Sequence, residues 1–286
     1  MPELSFHLWP DVGDPEAVEF LVAWLPPDNM LELFPNLRVV FSVGAGVDHF
    51  DLSAFPPQLQ LVRMLDPGIA QGMVEYVTLG TLALHRDMPR FLQQQRQQQW
   101  QAQPWVPAQQ RRVGVMGLGN LGRAVIAQLR SLGFQLNGWS RSAHQLQGVT
   151  CFAGWEQLPD FLQQTDLLIC LLPLTAETRH ILCARNFNHL PAGAALINAG
   201  RGGHLQEEDL LAALDSGQLG AAMLDVLQEE PPGYSHPFWQ HPKIWLTPHI
   251  AGVTSHDSGC DVLLDNVRRF RQGLPMHGAV DLSRGY

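Results

Sequence analysis

Between about residues 111 and 250, short apolar runs alternate with stretches in which apolar residues recur every three to four positions. Short apolar runs bounded by turn residues read as buried strands, and the periodic stretches read as amphipathic helices. The pattern predicts strands at 112–116, 134–139, 166–172, 194–199, 220–225 and 244–247, with helices at 120–132, 155–163 and 206–216. Such alternation implies a parallel sheet covered by helices on both faces. Residues 1–80 show a smaller α/β pattern, with strands predicted at 4–8, 20–24, 37–42 and 60–64. A long helix is predicted over 73–100, its glutamine-rich end (Gln93–Gln99) read as a solvated helix surface. Pro104 and Pro107 then break the chain ahead of the next strand, as a linker would. A last helix, about 256–272, leaves the large domain, and the tail packs back on the small one. The expected division is therefore 1–80 with 256–286 as one domain and 81–255 as the other.

One turn in this pattern carries chemistry. The strand Arg112–Met116 runs into Gly117-x-Gly119-x-x-Gly122, and a helix follows at once. In that setting the first glycine permits a tight turn, the second admits a pyrophosphate, and the third lets helix pack on strand. The helix N-terminus then faces the phosphates with free N–H groups. A dinucleotide-binding unit is predicted. An NAD site would place Asp or Glu just after the next strand, to meet the ribose hydroxyls. This chain has Ser140-Arg141-Ser142 there, a guanidinium and two hydroxyls suited to a 2′-phosphate. NADP(H) is expected over NAD(H).

Composition narrows the class. The chain has 286 residues, 45% of them hydrophobic, a formal net charge of −9 and four cysteines. That length suits two domains with a sizeable core. The acidic balance argues against a nucleic-acid partner. No apolar run approaches a membrane span, and the N-terminus lacks a signal pattern, so a cytoplasmic protein is expected. Cys151, Cys170, Cys183 and Cys260 are widely spaced and read as reduced, mostly buried thiols.

Three further segments place polar residues just past predicted strands: Asn198-Ala199-Gly200-Arg201-Gly202, Asp225-Val226-Leu227-Gln228-Glu229-Glu230-Pro231, in which either glutamate could serve, and Thr247-Pro248-His249-Ile250-Ala251. Ligands in open α/β sheets bind beyond the carboxyl ends of strands. An arginine there can clamp a carboxylate, and a histidine with an acidic neighbour suits general acid–base work. In the small domain, Ser42-Val43-Gly44-Ala45-Gly46-Val47-Asp48 offers backbone N–H groups at close range. Trp9, Trp100 and Trp239 are read by default as aromatic core. No metal-ligand cluster is found, which weighs against zinc-dependent alcohol oxidation. Neither Tyr76 nor Tyr234 is followed by lysine four residues on, as a short-chain dehydrogenase requires.

In order and spacing, these motifs resemble the D-isomer-specific 2-hydroxyacid dehydrogenases. Trp139-Ser140-Arg141-Ser142, Leu171-Leu172-Pro173-Leu174-Thr175 and the ending Val280–Tyr286 are similar to its glyoxylate/hydroxypyruvate reductase A group. The resemblance implies a Rossmann-type, doubly wound parallel sheet domain plus a smaller flavodoxin-like α/β substrate domain, here lacking its first βα unit. It implies NADPH-dependent reduction of glyoxylate and hydroxypyruvate in a homodimer, with 73–100 a candidate contact. By the same carry-over, His249 protonates the carbonyl oxygen, Glu230 supports its charge, and Arg201 binds the substrate carboxylate along with Ala45 and Gly46. The active site would lie between the domains, so that closure excludes water. The cofactor would meet Gly117, Gly119, Asn120, Leu121, Gly122, Ser140, Arg141, Ser142, Leu172, Pro173, Ala199, Gly200, Asp225, Ala251 and Gly252. Two other readings compete: a reductase of a bulkier 2-oxo acid, and a non-catalytic NADP(H)-sensing protein. The joint presence of Arg201, Glu230 and His249 weighs against the sensor.

Overall fold

The structure is a computed structural model and describes residues 4–282. The chain begins with β1 (Phe20–Ala23), α1 (Met30–Leu33), β2 (Val39–Ser42), β3 (Gln60–Val62), α2 (Pro67–His85) and α3 (Met88–Arg96). It continues through β4 (Arg112–Met116), α4 (Asn120–Ser131), β5 (Gln135–Ser140), β6 (Val149–Ala153), α5 (Leu158–Gln163), β7 (Leu167–Cys170) and α6 (Ala184–Phe187). Last come β8 (Ala194–Asn198), α7 (Glu207–Ser216), β9 (Leu219–Leu224), β10 (Ile244–Leu246) and α8 (His256–Arg271).

The chain forms two compact units, Met1–Ile69 with Val253–Tyr286, and Ala70–Gly252. The first division falls at 69/70 instead of the expected 80/81, and the second at 252/253. The reason lies in α2. Its residues Met73, Tyr76, Val77 and Leu84 share one core with Val113, Val115, Ile169 and Ile197 of the large sheet, so most of the helix belongs with that sheet.

The larger unit holds a seven-stranded sheet in the order β6-β5-β4-β7-β8-β9-β10, and every pairing is parallel. The chain winds outward from β4 to β6, returns to β4's other side, and winds outward again. The reversal between β4 and β7 is the switch point at which such sheets open a crevice. Both faces are buried, and period-two alternation shows how. In β7, Leu168 and Cys170 join one core with Phe161, Leu210 and Leu214, while Leu167 and Ile169 join the other with Val125 and Leu129. Helices α5 and α7 thus cover one face, and α2 and α4 the other. Burial pushes the Cys170 thiol up to about 12, which leaves it inert. Only Cys170 of the four thiols is fully buried, and Cys260 is exposed.

Asp166, at the foot of β7, accepts from Arg112 at the foot of β4: Nη2–Oδ1 at 2.5 Å, Nε–Oδ2 at 3.1 Å and the main-chain N–H at 2.9 Å. Burial raises the Asp166 carboxyl, but these bonds outweigh it and hold the group below its usual range. The two central strands are fixed in register at the end away from the crevice.

Three expectations fail locally. The 73–100 helix is two helices, because Asp87 turns into left-handed backbone at φ 55° and Pro89 opens the next one. The run 4–8 makes no strand; Leu8 forms only an isolated bridge with Asp11. And β6, α1 and α6 are absent from the predicted elements, while α2 begins at Pro67, ahead of the expected 73.

The smaller unit is a three-stranded parallel sheet, β1-β2-β3. Val40 of β2 packs with Met30 and Phe34 on one face; Val39 and Phe41 pack with Val267 of α8 on the other. No helix among the described residues is long and apolar enough to cross a membrane.

Candidate active site

At the carboxyl end of β8 the chain turns sharply through Ala199–Gly203. Asn198 is wholly buried and serves both sides of this turn: its amide donates to Arg201 O at 3.0 Å and its carbonyl accepts from Gly200 N at 3.2 Å. His204, also wholly buried, accepts the Arg201 N–H on Nδ1 at 3.1 Å, and its Nε2 lies 3.2 Å from Pro173 O. Arg201 Nη1 donates to Gly200 O at 2.8 Å. A Cβ on Gly202 would stand 1.8 Å from Leu227 O. Only glycine therefore lets the Arg201 turn press against the loop that leads to Glu230.

At the end of β9, Asp225 is 2% exposed. Its carboxylate accepts from Thr247 Oγ1 (2.6 Å), Ile250 N (2.8 Å) and Ala251 N (2.8 Å). A buried carboxylate is tolerable only with such a complement of donors. Tyr76 of α2 extends the chain of bonds: its hydroxyl lies 2.7 Å from Thr247 Oγ1, which itself donates to Asp225. Burial raises the Tyr76 phenol well above its ordinary value, so it stays neutral and can donate. The Asp225 carbonyl takes the His249 N–H at 2.9 Å. Between these anchors His249 adopts φ 55°, the left-handed region.

That turn brings the imidazole to Glu230. His249 Nδ1 and Glu230 Oε2 are 2.7 Å apart, and both side chains are slightly more than a third exposed. Glu230 Oε1 accepts from Leu227 N at 2.9 Å, which fixes the carboxylate. The Glu230 bond raises the histidine's affinity for a proton, overcoming burial and the nearby Arg201 charge, both of which lower it. Burial pushes the Glu230 carboxyl up, but the His249 and Leu227 hydrogen bonds outweigh it and the carboxyl ends below its usual range. Nδ1 is engaged by Glu230, so a proton delivered to a substrate would come from Nε2. The arrangement can offer a proton beside a guanidinium, the pair of groups that an anionic carbonyl compound requires.

The nucleotide half lies beyond β4 and β5. Gly117 sits at φ 101°, and a Cβ at Gly119 would meet nothing within 4 Å, whereas one at Gly122 would stand 1.9 Å from Gly117 O. The turn is thus open at its middle glycine and closed at the third, the shape a pyrophosphate cradle needs. No side chain caps α4, and Asn120 and Leu121 form its first turn. Dinucleotide phosphates fit these residues. Arg141 and Ser142 are exposed; Ser140 is buried, and its hydroxyl donates to Ser142 O at 2.8 Å, shaping the loop. Arg123 donates from Nε to Leu118 O at 2.9 Å, and its Nη2 lies 3.1 Å from His144 Nδ1. Leu172, Ala199, Gly200 and Ala251 are buried along the crevice end of the sheet, with Pro173 and Gly252 more open.

Ala45 and Gly46 belong to the other unit, in the loop after β2. There Ser42 Oγ takes the Gly44 N–H at 3.2 Å and lies 3.2 Å from Gly46 O, while Gly44 O accepts from Met64 N at 2.9 Å. Trp9, Trp100 and Trp239, read as core, are 64%, 104% and 52% exposed. Motif reading gave no role to Asn198, His204, Thr247 or Tyr76. Asn198 and Thr247 stand at strand ends and His204 follows in the Arg201 turn, which was the available signal; Tyr76, inside α2, carried none, and only the fold shows what all four bond. Among the described residues no cluster of His, Cys, Asp or Glu could hold a metal ion.

Residues 79–251 match the family model described as D-isomer specific 2-hydroxyacid dehydrogenase, NAD binding domain. A protein of Yersinia enterocolitica named glyoxylate/hydroxypyruvate reductase A is 41% identical over 294 aligned residues, covering 100% of this chain and 93% of the relative. A crystal structure of a D-isomer specific 2-hydroxyacid dehydrogenase from Xanthobacter autotrophicus Py2, in complex with NADPH and MES, superposes with a TM-score of 0.92 at 39% identity. It covers 96% of this chain and 87% of that one. The NADPH-dependent glyoxylate/hydroxypyruvate reductase of Sinorhizobium meliloti, in complex with NADP and sulfate, gives a TM-score of 0.88 at 36% identity, covering 94% and 87%. With the glycine turn, the Arg201 turn and the His249–Glu230 pair all in place, the chain belongs to the D-isomer-specific 2-hydroxyacid dehydrogenase family.

Proposed function

We propose that this enzyme uses NADPH to reduce small 2-oxo acids, glyoxylate to glycolate and hydroxypyruvate to D-glycerate. The observation that carries the reading is the 2.7 Å His249–Glu230 bond in the electrostatic reach of Arg201. When bound, a reduced nicotinamide supplies the hydride that goes to the carbonyl carbon. His249 gives the proton that completes the hydroxyl, and Glu230 keeps that proton available near neutral pH. Arg201 holds the substrate carboxylate by two parallel bonds and polarises the carbonyl. Asp225, Asn198 and His204 act as positioning residues. Ala45 and Gly46 keep the role the resemblance gives them, main-chain donors to a carboxylate.

A preference for NADPH is supported by Ser140-Arg141-Ser142, which puts no carboxylate after β5, and by relatives crystallised with NADPH or NADP. A cytoplasmic homodimer is part of the proposal. Leu79 (61% exposed), Leu82, Met88 and Leu92 leave apolar surface on α2 and α3, within 73–100. The test is NADPH oxidation measured with 2-oxo acids of increasing size. Fast turnover of glyoxylate and hydroxypyruvate, declining with bulk, is expected. A peak at a bulky side chain would move the assignment to another substrate, and no turnover with any of them would remove the reductase reading.

A further inference from the structure

The end of β5 has no carboxylate, yet the fold returns one to that place from a different loop. Glu177 lies in the turn that follows β7, and its Oε2 stands 3.5 Å from Arg141 Nη1. The two side chains are 56% and 52% exposed, so water screens the pair and a ligand can compete for either partner. The backbone beneath Glu177 is firmly built. Thr178 Oγ1 donates to Pro173 O at 2.7 Å and accepts from Thr175 N at 2.8 Å, and Arg179 N donates to Thr175 O at 2.9 Å. Thr178 itself is buried. A fixed turn thus holds a carboxylate against the guanidinium that occupies the ribose-sensing position.

We propose that Glu177 sets the balance between the phosphorylated and unphosphorylated forms of the dinucleotide. It offers an acceptor to a free ribose 2′-hydroxyl. Toward a 2′-phosphate it is a like charge, and it must give up Arg141 before the guanidinium can bind the phosphate. This rests on the NADP(H) reading above and adds a claim of its own: the preference for the phosphorylated form is held below what Arg141 alone would give.

The test is calorimetric titration of the full chain with 2′,5′-ADP and with 5′-ADP, which differ at the sensed position and lack the nicotinamide. In Glu177→Gln the affinity ratio favouring 2′,5′-ADP rises about three- to tenfold at low salt, the range expected for removing one exposed charge beside a phosphate. High salt erodes the gain. Glu177→Asp, which keeps the charge, shows a ratio close to wild type. A ratio unchanged in Glu177→Gln, while wild type still prefers 2′,5′-ADP, overturns the role of Glu177 and leaves the NADP(H) reading standing. A wild type indifferent to the 2′-phosphate, in which Arg141→Ala changes neither affinity, overturns both.

Discussion

The two halves of the seven-stranded sheet carry their functional loops in different ways. Beyond β4 and β5, the groups suited to the adenosine end (Arg141, Ser142, Arg123) are exposed, and the Arg141–Glu177 and Arg123–His144 contacts are solvated. Beyond β8, β9 and β10, buried polar side chains tie the turns: Asn198 and His204 bond main chain within the Arg201 turn, His204 also lies against Pro173 O, and Asp225 bonds Ile250 N and Ala251 N. The contrast matches two physical tasks. Anchoring a charged ligand is long-range and tolerant of side-chain motion, whereas proton transfer requires donor and acceptor fixed within a fraction of an ångström.

That contrast can be tested by the ranking of substitutions. The largest expected loss is in the tied half. His249→Ala lowers kcat on glyoxylate about 10²- to 10⁴-fold with dinucleotide affinity unchanged, read by steady-state kinetics and titration. Asp225→Ala comes next. It strands the buried Ala251 N–H, frees the part-buried Ile250 N–H and removes the acceptor of the Thr247 hydroxyl, and should destabilise the chain by about 2–4 kcal/mol in denaturant unfolding as well as lower kcat. A folded, fully active Asp225→Ala would show that the loop does not depend on its anchor.

Glu230→Gln is milder, with kcat reduced about tenfold, and its signature is the pH profile. Raised in the folded state, His249 contributes stability fully below its ordinary 6.5, and loses it as pH rises through the raised value. Glu230 is lowered, so its contribution is present above its ordinary 4.5 and disappears as pH falls through the lowered value. The reduction rate therefore falls on the alkaline side where His249 gives up its proton, and Glu230→Gln moves that fall to lower pH. An unmoved alkaline limb would detach Glu230 from the proton. The smallest effect belongs to the open half. Arg141→Ala raises the KM for NADPH about tenfold with little change for NADH or in kcat. A kcat loss as large as that of His249→Ala would erase the contrast.

How much of this was legible in the residues depends on what kind of information they hold. Buried parallel strands announce themselves as apolar runs, so β4, β5, β7, β8, β9 and β10 lie within a residue or two of expectation. Val149–Ala153 is not among the predicted strands although it is apolar at four of five positions between Gly148 and Gly154; in the fold it is the edge strand β6, paired with β5 and partly exposed. The 73–100 helix was read through a break that Asp87 and Pro89 do signal, since aspartate tolerates left-handed backbone and proline suits a first helical turn. The 4–8 run alternates suitably yet has no strand beside it. Arg201, Glu230 and His249 were legible as polar residues at strand ends, and the choice of Glu230 over Glu229 came from the resemblance. That Asp225 bonds the His249 loop was not legible, because local pattern says nothing of a contact across 22 to 26 residues.

The positive φ of His249 bears on how this position tolerates replacement. Asparagine and glycine sit comfortably in that region, alanine less so, and β-branched residues badly. A saturation library at 249 should therefore sort by backbone compatibility before it sorts by chemistry: Val and Ile variants lose soluble yield, while Asn keeps the wild-type main chain and isolates the missing imidazole. Asparagine, not the customary alanine, is the clean control here.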